Sequence, residues 1–109
     1  MLLRNTPKNQ IICAVYSAVN QLIHDANDYR SRNVFVVEKN ILNDITGRKA
    51  SRFDASLVHI HKGIKSQIAE LEALPESLEQ KAALAFWKRA LTTFNRKAKD
   101  HEIQLNRSN

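Results

Sequence analysis

The chain has 109 residues and a formal net charge of +6, from 17 Lys and Arg against 11 Asp and Glu. It contains only 2 Gly and 2 Pro, far below the roughly 12% of ordinary usage, which excludes the strand-rich sandwiches and barrels that need frequent turns. A chain this short builds one core, so residues 1–109 read as a single domain and a two-domain enzyme is excluded.

Thr6 and Pro7 read as N-cap and first helical residue, because Pro lacks only an N–H that would be unpaired there anyway. Ile11, Ile12, Val15, Ala18, Val19, Leu22, Ile23 and Ala26 then follow the 3.6-residue period, predicting a first helix over 7–29. Cys13, the only cysteine, excludes an internal disulfide and suits a reducing compartment; its apolar neighbours predict a buried, inert thiol. The polar cluster Arg30-Ser31-Arg32-Asn33 is the expected first connection.

Val34-Phe35-Val36-Val37 has strand propensity, but no other segment offers a pairing strand, and an orphan strand would leave its backbone groups unmatched. The segment therefore reads as part of a helix over 33–46, capped by Asn33 and closed by Gly47 as the residue after the C-cap. The alternative is a short extended arm pairing with a second copy of the chain. Ser51-Arg52-Phe53-Asp54 has capping-box spacing, and Leu57, Ile60, Ile64, Ile68 and Leu71 carry a third helix over 52–73. Gly63 sits inside it at a cost of about 1 kcal/mol relative to Ala, either admitting a close neighbour or standing as a tolerated weakness.

Pro75 stops that helix, and Ser77-Leu78-Glu79-Gln80 is a second capping box that opens a helix over 78–105, leaving 106–109 as a frayed tail. Ala83, Trp87, Ala90, Leu91, Phe94, Ala98, His101 and Leu105 fall in one sector of about 100°. The expected architecture is all-α, an antiparallel up-down four-helix bundle. No apolar run approaches the length of a transmembrane segment, and the opening residues lack a secretory signal pattern, so the expected location is cytoplasmic.

Lys81, Lys88, Arg89, Arg96 and Lys99 share a sector opposite Trp87, a spacing that suits phosphate contacts by charge rather than by base reading. The competing explanation is an ordinary solvated face, which Lys and Arg fill readily. Arg48, Lys49 and Arg52 form a second cluster at the link between the second and third helices. Phe86, between the apolar and basic sectors, would with Ala82 and Ala90 widen the apolar surface beyond one seam, pointing to self-association as a homodimer; the alternative is that Phe86 packs within the chain on the second helix.

The four histidines have poor ligand spacing: His59 and His61 point to different faces, and His24 with Asp28 reads as a surface pair, so no metal or other cofactor is expected. No glycine-rich phosphate loop or nucleophile elbow occurs, and Glu70 with Glu72, or Glu76 with Glu79, are ordinary surface carboxylates. The sequence thus points to a non-enzymatic protein–protein interaction or assembly module acting through a helical surface. The alternative is a basic, nucleic-acid-associated accessory protein contacting phosphates through the last helix. A small enzyme with a site shared between two subunits ranks third.

Overall fold

A computed structural model describes residues 7–47 and 57–101. They form four helices: α1 (Pro7–Asp25), α2 (Tyr29–Thr46), α3 (Leu57–Glu72) and α4 (Leu78–Asp100). The all-α four-helix bundle expected from the sequence is the observed fold. Helix directions follow from the contacts. Phe35 with Phe86 and Glu38 with Trp87 run in step along α2 and α4, which are parallel. Leu71 with Gln80 and His61 with Phe94 run in opposite steps along α3 and α4, which are antiparallel. Tyr16 near the middle of α1 hydrogen-bonds Thr46 at the end of α2, so these two are also antiparallel.

The bundle is not a symmetric square. α1, α2 and α3 all pack on α4, which alone among them buries nine residues, against three for α1, two for α2 and three for α3. The reason lies in its composition. Ala82, Ala83, Ala90 and Ala98 keep parts of its surface thin, while Phe86, Trp87 and Phe94 project between the approaching helices. Alternating small and large residues lets facing layers interlock at interior density. Phe86 meets Trp87 edge to face, with centroids 5.2 Å apart, and stacks on Phe35 at 6.5 Å.

Phe86 is therefore 0% exposed, and Ala82 and Ala90 are buried with it. The expectation that these three residues form a self-association surface is overturned, because a helix flanked by three neighbours uses a wider apolar sector than one seam requires. Cys13 is corrected in the opposite direction. The buried line of α1 is Ile11, Val15 and Val19, and Cys13 stands on the exposed side.

Two connections also differ from expectation. α1 ends at Asp25, before the predicted 29, because Asp28 rather than Asn33 caps α2. Its carboxylate accepts from the Arg30 backbone N–H at 3.1 Å and the Ser31 hydroxyl at 3.0 Å, bonds that hold it below the usual carboxylate range. The Arg32 guanidinium closes the corner by donating to the Ala26 carbonyl at 2.8 Å. Residues 34–37 are helical, which removes the extended-arm alternative. Gly47 is not left-handed, with φ −91°; a Cβ there would collide with the Asn43 carbonyl oxygen, and that close approach accounts for the glycine. The capping residues predicted at 51–54 and the helix beyond 101 lie outside the described residues, as do Arg48, Lys49 and Arg52.

Among the described residues one ionisable side chain is buried in this core. His61 packs face to face on Phe94, with centroids 5.5 Å apart. Desolvation lowers its pKa from 6.5, assisted by the charge of Lys65 and opposed by a hydrogen bond with Asn95. The unfolded chain then binds a proton at a pH where the native state does not. Stability is complete above the unfolded value near 6.5 and is lost as the pH falls from there through the folded value. Thermal midpoints measured between about pH 7.5 and about pH 5 should fall for the native protein and fall less for His61→Leu; parallel curves would contradict this assignment.

Candidate functional site

Gly63 sets the spacing of α2 and α3 at one end of their contact. A Cβ there would lie 3.1 Å from the Ile45 Cγ2, so the residue admits a close neighbour, which selects the first of its two sequence readings. Toward the other end, residues 33–38 of α2 and the α3–α4 turn bound a groove of about 590 Å³, a volume within the range of ligand-binding clefts. Its walls are Val34 and Val37 on one side and Leu71, Leu74 and Pro75 on the other. Ala83 and Gln80 contribute from α4. The methyl of Ala83 fills little of the space that a larger residue at the same helical phase would occupy.

Two wall residues stand out from the surface. Val37 is 56% and Leu74 53% exposed, and Val36 and Tyr29 on α2 and Leu78 at the start of α4 are further exposed large apolar side chains. Glu38, next to the exposed Val37, turns inward instead. Glu38 is half-buried and its Oε2 accepts the Trp87 indole N–H at 2.6 Å. Trp87 is fully buried, so its N–H needs an acceptor, and a carboxylate makes a strong, charge-assisted one.

Gln80 completes the site. Ser77 caps α4 as predicted, its hydroxyl oxygen accepting from the Gln80 backbone N–H at 3.0 Å. The Gln80 side chain does not reach back in the manner of a capping box; its Nε2 donates to the Leu71 carbonyl at 3.0 Å, tying α4 to the end of α3. That bond fixes the amide orientation. Oε1 is left buried with no protein donor among the described residues, although the residue is only 8% exposed. Leaving such an acceptor unmatched costs about 1–3 kcal/mol, which singles it out from the rest of the core.

Among the described residues the ionisable groups lining the groove are all acidic: Glu38, Glu76 and Glu79. Glu76 pairs with Lys81 at 3.2 Å and Glu79 with Arg30 at 3.7 Å, both in exposed settings, where such pairs contribute little and exchange readily.

The basic sector predicted on the last helix is exposed along its length at Lys81, Lys88, Arg89, Arg96 and Lys99. Its members are not equivalent. Lys81 belongs to the groove rim through Glu76, and Arg89 acts on Asp25, whose carboxyl is held low mainly by hydrogen bonds from Gln21 and His24. Lys88, Arg96 and Lys99 are in no ion pair among the described residues. The expected His24–Asp28 pair is replaced by His24 with Asp25 at 3.3 Å, since Asp28 lies beyond the end of α1. Among the described residues no three His, Cys, Asp or Glu side chains cluster as a metal site, and no helix is long and apolar enough to cross a membrane.

Sequence reasoning missed the groove. The signal available was Gln80, a polar residue three and seven positions before Ala83 and Trp87 and therefore in phase with the core. Comparisons with protein-family models, curated proteins and solved structures give no match.

Proposed function

We propose that this protein is a non-enzymatic interaction module that seats an apolar segment of a protein partner in the groove between α2 and the α3–α4 turn. The observation that carries the reading is the groove itself: about 590 Å³ of space walled by apolar side chains, two of which, Val37 and Leu74, are more than half exposed. Apolar surface left open on a helical bundle is the usual mark of a docking site, and amphipathic helices recognise such grooves through successive apolar anchors. With Phe86, Ala82 and Ala90 inside the core, this rim also takes over the apolar role that they were expected to fill.

A neutral amphipathic peptide of Leu and Gln serves as the probe, and the single tryptophan makes the Trp87 indole N–H resonance a clean reporter next to the groove. Binding should shift that resonance and weaken by roughly tenfold or more in Val37→Ser/Leu74→Ser, since each apolar side chain buried is worth about 1.5–3 kcal/mol. Unchanged affinity in the double variant would contradict the reading. A dimer in sedimentation equilibrium that the same substitutions dissociate would instead assign the groove to a second copy.

A second reading, phosphate contact through α4, is favoured by the exposure of Lys88, Arg96 and Lys99 without acidic partners among the described residues. They span roughly 16 Å of helix. Oligonucleotide binding should then fall steeply with salt, and replacing all three with Gln should flatten that dependence. No binding at low salt, or an unchanged salt slope, removes this reading.

A further inference from the structure

We infer that the groove selects an apolar protein segment bearing a cationic side chain, Lys or Arg, whose N–H donors meet the Glu38 carboxylate and the acidic rim. The inference rests on the groove being a partner-binding site and adds the chemistry of the partner.

Two observations carry it. First, among the described residues the groove is lined by Glu38, Glu76 and Glu79 and by no Lys, Arg or His, in a chain whose overall charge is +6. The local sign opposes the global one. Second, the Glu38 carboxylate lines the groove and accepts the Trp87 N–H through one oxygen, and a carboxylate has acceptor sites on both. The ammonium of Lys and the guanidinium of Arg carry donors and no acceptor, and their aliphatic stems suit the apolar walls.

The rim is arranged for exchange. Lys81 and Arg30 occupy Glu76 and Glu79 through exposed contacts at 3.2 and 3.7 Å, which a partner's cation can replace at small cost.

Long-range electrostatics makes the test discriminating, because a protein of charge +6 repels cationic peptides and attracts anionic ones at a distance. A preference for a cationic peptide must therefore arise within the groove. Amphipathic helical peptides of Leu with Lys, Leu with Gln and Leu with Glu are titrated at moderate salt against the full chain, reading the Trp87 indole N–H resonance. The Leu/Lys peptide should bind roughly tenfold tighter than the Leu/Gln peptide, with the Leu/Glu peptide weakest. Glu38→Gln, which retains an acceptor for Trp87, and the exposed-rim variant Glu76→Gln/Glu79→Gln should each reduce the Lys preference. Equal binding of the three peptides, or tighter binding of Leu/Glu, overturns the inference while leaving the groove as a neutral docking site. Binding of none of them overturns the inference together with the groove reading.

Discussion

The packing of three helices on one is the constraint from which the other features follow. α4 presents Phe86, Trp87 and Phe94 between positions held by alanine. The aromatics fill space that no single facing helix could cover, and the alanines bring the neighbouring backbones near. Removing an aromatic from such a site leaves a cavity that close-packed surroundings refill only in part, a loss of about 3–5 kcal/mol for Phe or Trp to Ala. For a domain whose whole stability is of order 5–15 kcal/mol, each of these rings is a large share. The same arrangement buries the Trp87 N–H and so requires the Glu38 carboxylate on α2. A core requirement thereby places an acid at the groove, and site and core are one construction.

Charge is distributed unevenly over the result. Carboxylates gather around the opening between α2 and the α3–α4 turn, while cations without an ion pair among the described residues continue along the exposed side of α4 at Lys88, Arg96 and Lys99. Lys81 stands where the two regions meet, paired with Glu76. The two surfaces differ in character, one apolar and acidic, the other cationic. Net charge describes neither of them, since it averages a locally acidic groove into a basic whole.

Helix number, type and order were legible in the sequence, because hydrophobic periodicity and the few Pro and Gly residues mark elements directly. Ser77 and Pro75 placed the start of α4 and the turn before it. The α1–α2 connection was misplaced because two capping candidates, Asp28 and Asn33, compete within one stretch, and the choice depends on the corner made by Arg32 and Ala26. Phe86 and Cys13 were misjudged for a related reason. Helical phase gives the direction of a side chain, but the width of the buried sector depends on how many helices gather around it, which one helix's sequence does not state. The basic sector was read correctly as a shared outward face, since phase alone decides exposure opposite a core. The groove was not legible because it is an opening between elements distant in sequence, detectable only through Gln80 at a core phase.

Amide hydrogen exchange tests the central claim, that α4 is the element on which the bundle closes. Backbone amides in the middle of α4, around Phe86 to Phe94, should exchange only through global unfolding and so match the stability measured with denaturant, while amides of α1, α2 and α3 open at lower free energy. Amides in α1 or α3 that outlast those of α4 would contradict the account.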